Sequence, residues 1–222
     1  MPIKKKNFVE VEYTGKTKDE GFVFDTTDEK KAKETGIFSQ QQAYGPVTVC
    51  IGEGQILPGL EKKLEGKDPG KYTFELGPEE AFGKKDAKLI KMIPFSVFKK
   101  QNIAPQVGMQ INVDGMMGII KTASGGRCMV DFNHPLSGKH VIYEIKVNSI
   151  VTKDLEKVKA YISLALNMKD TDVLLNNEKY EIVTKSEVPK EVQEKLIEKL
   201  KELIPTVTDV SFTKAKPTDS KK

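Results

Sequence analysis

Val47-Thr48-Val49-Cys50-Ile51-Gly52-Glu53-Gly54-Gln55-Ile56-Leu57-Pro58-Gly59-Leu60-Glu61 decides how this chain is read. The β-branched run at its start reads as a strand, Gly52 and Gly54 punctuate a turn, and Pro58 opens a short amphipathic helix. A run this apolar at a tight turn is either buried or used. Ile56 and Leu57 stand at the mouth of the helix, where backbone N–H groups have no intrahelical partner. Unpaired donors beside apolar side chains suit a ligand that is itself apolar and carries a carbonyl.

The rest of the chain sets bounds. Its 222 residues are enough for two or three small domains. With 38% hydrophobic and 31% charged residues, it can bury cores and stay in solution. No segment approaches the ~20 apolar residues of a membrane span, and Met1-Pro2-Ile3-Lys4-Lys5-Lys6 lacks the apolar run of a signal peptide. Cys50 and Cys128 are far apart in apolar strand contexts and read as reduced core thiols, which implies a cytoplasmic protein. Lysines and arginines number 36 against 32 acids, interleaved rather than clustered. No basic stripe for nucleic acid results.

Along the chain, Val9, Val11 and Tyr13 alternate with Glu10 and Glu12, the period-2 pattern of a half-buried strand. Residues 22–25, 47–51 and 71–76 add strands, and Val141, Tyr143, Ile145 and Val147 mark a long one. Residues 58–65 form a helix with Leu60 and Leu64 on one face and Gly66 as its stop. These predict an α+β half-barrel, antiparallel strands wrapping one short helix. Residues 26–46 read as an irregular excursion. After Gly83 comes a small β-rich unit with a helix over 94–100 and three strands, 107–113, 116–121 and 127–132. Beyond Val151 the period changes to 3.6. Helices are expected over 153–168 and 189–204, with a hairpin about Asn176-Asn177-Glu178 between them and a last strand at Val207–Phe212. The tail, 214–222, is polar and reads as disordered.

In order, Val9–Lys16, Phe22–Thr27, the opening stretch, Ala81-Phe82-Gly83 and Val130–Lys139 resemble successive motifs of the FKBP-type peptidyl-prolyl isomerases, in the SlyD-like branch. The resemblance covers residues 7–151. It implies an isomerase domain over 1–84 and 130–151, an insert-in-flap domain over 85–129, and an α+β C-terminal domain over 152–213 like that of the long archaeal members.

On pattern alone Tyr13, Leu60 and Tyr143 read as core residues, and Asp25 before Thr26-Thr27-Asp28 as a turn former. The resemblance places Tyr13, Phe24, Asp25, Ile56, Leu57, Leu60, Phe82, Phe132 and Tyr143 in the isomerase site. It implies that Ile56 and Leu60 touch the proline ring, that Phe24 and Tyr143 wall it, that the Leu57 N–H binds a carbonyl, and that Phe132 caps the pocket. Leu60 stands where many members have tryptophan, and Phe82 where tyrosine is usual. The expected activity is X-Pro cis–trans isomerisation, which needs no cofactor or metal. His134 and His140 read as structural or solvent-facing.

Five of the seven methionines lie in or beside the insert. Met92, Ile93, Phe95, Phe98, Met109, Met116, Met117 and Ile119 form the expected apolar groove for unfolded client chains. The alternative is a holdase-type chaperone module with a vestigial isomerase pocket. The face of the second C-terminal helix, Val192, Leu196, Leu200 and Leu203, offers a homodimer interface through 152–213.

Overall fold

A computed structural model describes the chain apart from Gln101 and residues 168–170, 177–178 and 215–222. Residues 177–178 of the expected turn and all but the first residue of the expected tail lie outside the described residues. In order the elements are β1 (Phe8–Thr17), β2 (Val23–Thr26), α1 (Glu29–Glu34), β3 (Val47–Cys50), α2 (Pro58–Leu64), β4 (Gly70–Leu76), β5 (Ile90–Pro94), α3 (Phe95–Lys100), β6 (Gln110–Val113), β7 (Met116–Ser124), β8 (Arg127–Asp131), β9 (Val141–Val151), α4 (Asp154–Leu166), β10 (Asp172–Asn176), β11 (Lys179–Thr184), α5 (Lys190–Leu203) and β12 (Asp209–Lys214). The fold is α+β. Its main sheet runs β2-β1-β9-β4, with β3 on β1. Both β2 and β3 pair with β1 antiparallel.

The chain forms two compact units, one of Met1–Glu75 with the chain from Ile142 on, the other of Leu76–Val141. In the first, Val9, Val11, Val49, Ile51, Leu64, Ile145 and Val147 make the half-barrel core, with the buried face of α2 packed against the sheet. α1 is a helix inside the 26–46 stretch expected to be irregular. Asp28 caps it, accepting from the Lys31 N–H at 3.1 Å, and Glu29 pairs with Lys33 one turn on. Such pairs add a few tenths of a kcal/mol.

The C-terminal elements do not form a separate compact unit. Val158, Ile162, Ile182, Leu200, Leu203 and Ile204 share one core with Phe8 and Cys50 of the half-barrel. β10, β11 and β12 make a three-stranded sheet, antiparallel then parallel. Lys199 Nζ lies 3.2 Å from Glu53 and Lys6 Nζ 3.1 Å from Glu202, across the same seam. The helix face expected to meet a second copy is therefore largely used within the chain. Leu200 and Leu203 are buried, Leu196 packs against them, and Val192 remains exposed.

The second unit holds a four-stranded sheet, β5-β8-β7-β6, whose neighbours are all antiparallel. β5 adds a fourth strand to the three expected in the insert. Ile90-Lys91-Met92 alternates too briefly before Ile93 and Pro94 to mark a strand, and pairing with β8 makes it one. α3 lies on one face, where Phe98, Ile111, Ile120, Cys128 and Val130 form the core. Asp131 accepts hydrogen bonds from Lys85 Nζ at 2.9 Å and from the Asn133 backbone N–H at 3.0 Å. Burial works against its charge, but these bonds prevail and hold its pKa down at about 2.

The shared core gives the first expected outcome. Leu200→Ala should lower unfolding stability by about 2–5 kcal/mol, the range for a large-to-small change at a buried site. Urea unfolding at two protein concentrations checks it. The loss should be the same at both, whereas a leucine spent on a second copy would give a concentration-dependent midpoint.

Candidate active site

The opening stretch folds as its residue types require. After β3 the chain reverses through Gly52 and Gly54, at φ 95° and 68°, a region costly for residues with a Cβ. Two side chains lock this turn. Gln55 Oε1 accepts from the Cys50 N–H at 2.7 Å, and Glu61 Oε1 accepts from the Gly54 N–H at 3.0 Å. The chain enters α2 through Leu57 as N-cap and Pro58 in the first turn. A leucine side chain cannot cap, and the Ile56 and Leu57 N–H groups find no acceptor among the described residues. Two donors thus stand free at a helix N-terminus, flanked by apolar side chains.

β1, β2 and β9 supply the aromatic part of the site. The rings of Tyr13 and Tyr143 lie 5.9 Å apart, and Phe24 meets Tyr143 edge-on at 5.8 Å. Gly15 makes this approach possible. A Cβ there would stand 2.8 Å from the Tyr143 ring and 2.9 Å from Phe24. Sequence reasoning did not single out Gly15, because only the position of the facing rings marks it.

Asp25 is the one carboxylate in this apolar surround. It accepts hydrogen bonds from the Tyr13 hydroxyl, the Thr26 backbone N–H and the Gln42 side chain. Burial raises its pKa above 3.8, and those three bonds pull it back only in part. Burial, with the Asp25 charge and hydrogen bond, drives the Tyr13 phenol well above the usual tyrosine range. Tyr143 is raised by burial and by the same carboxylate. Both phenols therefore stay neutral donors at any working pH. Gln42 was also missed. It lies in the 26–46 excursion, where Phe38 and Tyr44 stack at 5.4 Å and the Gly45 N–H donates to the Thr27 carbonyl at 2.8 Å.

Of the residues expected in the site, Tyr13, Phe24, Asp25, Ile56, Leu57, Leu60 and Tyr143 belong to the first compact unit. Leu60 is buried beneath the helix, and Ile56 packs against the half-barrel core. Phe82 and Phe132 belong to the second. Phe82 stacks on His134 at 4.9 Å, and its carbonyl accepts from the Ser137 hydroxyl. Phe132, expected as a cap over proline, lies over Gly118 in the insert's own core, where a Cβ on Gly118 would come within 2.8 Å of its ring. His134 is exposed and accepts from the Leu136 N–H through Nδ1. Among the described residues no group of His, Cys, Asp and Glu could hold a metal ion, and no helix is long and apolar enough to cross a membrane.

Three aromatic rings and the half-buried Asp25 carboxylate converge at the end of the half-barrel core, and two free amides stand at the start of α2. The chain is 33% identical over 155 residues to the short-type peptidyl-prolyl cis-trans isomerase of Methanocaldococcus jannaschii, covering 69% of this chain and 98% of that one. It is 35% identical over 111 residues to the FKBP-type 16 kDa peptidyl-prolyl cis-trans isomerase of Escherichia coli, covering 47% and 74%. The SlyD of Haemophilus influenzae, also an FKBP-type peptidyl-prolyl cis-trans isomerase, is 28% identical over 163 residues, covering 71% and 77%. The family model for the FKBP26 IF domain matches residues 91–136. The chain belongs to the FKBP-type peptidyl-prolyl cis-trans isomerases.

Two outcomes follow from this geometry. Gly15→Ala should displace the Tyr143 and Phe24 rings and cost about 1–3 kcal/mol, as overpacking does. Thermal unfolding and the near-ultraviolet tyrosine signal check it. The second concerns pH. Because Asp25 has a raised pKa when folded, the folded chain holds its proton more tightly than the unfolded chain. Stability from this group therefore falls as pH rises from 3.8 through the folded-state value. In urea unfolding from about pH 4 to pH 7, the parent should lose stability relative to Asp25→Asn across that window and then level off. Parallel curves would refute the shift.

Proposed function

We propose that the protein isomerises X-Pro bonds in client polypeptides at the Tyr13–Asp25–Tyr143 site and holds those clients on the insert, in the cytosol, where Cys50 and Cys128 stay reduced. X-Pro rotation is slow because the amide loses resonance as it twists, a barrier of roughly 18–20 kcal/mol. No bond is broken, so a nucleophile is not needed. A site that takes the ring into an apolar surround and offers hydrogen bonds to the twisted amide lowers the barrier by binding that form more tightly than the planar one. In this reading the free Leu57 N–H binds a flanking carbonyl. Asp25 and the neutral Tyr13 supply a fixed field beside the amide nitrogen, which becomes pyramidal and basic as it twists. The juxtaposition of Asp25, two tyrosines and Phe24 carries this reading.

The holding role rests on the face of the insert sheet opposite α3. Strand registers put Met92 beside Met129, Ile90 and Ile119 beside Asp131, and Met117 beside Asn112 on that face. Met92 and Met117 are each 58% exposed. These apolar side chains are interleaved with Asp131, Gln110 and Asn112, and exposed methionine adapts to many apolar partners. Ile93, Phe95, Phe98 and Met109, expected in the same groove, belong instead to the covered core, and Met116 pairs with Val113 at its margin.

Asp25→Ala should cut isomerisation of an X-Pro tetrapeptide about tenfold or more, one lost interaction near 1.4 kcal/mol, in a protease-free exchange assay. Met92→Lys with Met117→Lys should keep that activity but lose most acceleration of a proline-limited refolding reaction. Full refolding assistance from Asp25→Ala would favour a holdase; full assistance from the lysine variant would remove the insert from client binding.

A further inference from the structure

β3 is an edge strand with a groove beside it. Among the described residues its only strand partner is β1, in a register that pairs Val49 with Val9 and Val47 with Val11. The Cys50 N–H points away from β1, to Gln55 Oε1. Two residues earlier on the same edge, the backbone N–H and C=O of Thr48 also point away from β1, because these groups alternate sides along a strand. A cavity of about 450 Å³ lies along this edge, between residues 41–48 and α4. Its α4 wall is low, made of Ala160 and Ser163, with the half-exposed Leu164 beside them. Glu156 and Lys159 at its rim oppose each other in sign, and Lys159 is already paired with Asp172 at 3.0 Å. An uncovered backbone donor and acceptor, small residues opposite and no net charge together match an extended polypeptide that adds as a strand.

Two further lining residues say which polypeptide. Tyr13 and Gln42 both line the groove, and both donate hydrogen bonds to Asp25. The groove therefore adjoins the isomerase site and shares Tyr13 and Gln42 with it. We propose that it is a second subsite for the same client chain: residues flanking the X-Pro bond lie extended against the edge of β3, hydrogen-bonded to Thr48 and covered by α4. The C-terminal segment then acts in substrate binding as well as in the core, because without α4 this edge has no second wall. This inference rests on the isomerase reading above.

The test compares the full chain with two variants on two substrates. Ser163→Arg fills the groove from the helix side. Thr48→Pro removes the outward N–H at an edge position where proline is tolerated. The substrates are an X-Pro tetrapeptide and a peptide of about twelve residues, roughly 40 Å extended, centred on the same pair. The parent should show kcat/KM about tenfold higher for the long peptide, the worth of one or two net hydrogen bonds. Both variants should lose that advantage and keep the parent's rate on the tetrapeptide. Equal rates for both peptides in the parent would overturn the subsite, as would an advantage that survives in Ser163→Arg, whatever becomes of Thr48→Pro. If neither peptide is isomerised, the isomerase reading fails by itself. The groove is then judged by amide shifts on adding the long peptide: shifts at Thr48 and Ser163 that vanish in Ser163→Arg uphold it, and their absence overturns it. A dimer in sedimentation that Ser163→Arg converts to monomer would assign the groove to a second copy and overturn the client proposal.

Discussion

One strand constrains the rest of the isomerase unit. β1 pairs with β3 through its first half and with β2 through its second. Tyr13 falls between these pairings, where its backbone N–H donates to the Thr27 hydroxyl and its carbonyl accepts from the Thr27 N–H. Strand alternation puts Val9, Val11, Tyr13 and Gly15 on one face. The first two lie in the half-barrel core, and the last two build the site. β9 repeats the pattern, with Ile145 and Val147 in the core and Tyr143 in the site. The site is thus the end of the core, where aliphatic side chains give way to aromatic ones and a single carboxylate is admitted. A register slip of one residue would turn the core side chains and the site rings outward together, so the core's hydrophobic drive also fixes where those rings meet.

The same continuity explains the electrostatics. A carboxylate at the edge of an apolar core is poorly solvated, and its cost is contained by the three hydrogen bonds it accepts. One comes from β1, one from the end of β2 and one from the 26–46 excursion, so Asp25 ties three pieces of chain at a point. Glu61 is handled alike. Burial raises its pKa, and its hydrogen bond from Gly54 holds the glycine turn against α2. Asp25 and Glu61 thus hold an excursion and a turn of the half-barrel in place.

Much of this was legible in the sequence. Period-2 runs at Val9–Tyr13 and Val141–Val147 fix which side chains share a face, and Pro58 after paired glycines fixes where α2 begins. What escaped depends on facts that no local window holds. Gly15 matters only because two rings from β2 and β9 converge on it. α1 carried a cap and an i,i+4 pair, but its charged run showed no apolar stripe. β5 became a strand through β8, more than thirty residues away. The amphipathic face of α5 was plain, yet amphipathicity says that a face will be covered and not by what. Phe8 and Cys50, nearly two hundred and one hundred and fifty residues earlier, supply part of the cover.

The insert shows the opposite limit. Its core face is closed by α3, six residues long, and by the loop through Ile103 and Met109. A unit of this size has chain for one covering layer over a four-stranded sheet and none for a second. On the other face Met92 and Met117 are exposed, where polar residues would be the ordinary solution. This chain places Met92, Met117, Met129, Ile90 and Ile119 there among the polar Asp131, Gln110 and Asn112. Lysine or threonine at these positions would satisfy the strands equally well, so folding alone gives no reason for the choice. Methionine's unbranched, polarisable side chain loses little by lying on a wet surface and gains by moulding to an irregular apolar partner. Strand pairing therefore fixes which residues reach this face and leaves their type open.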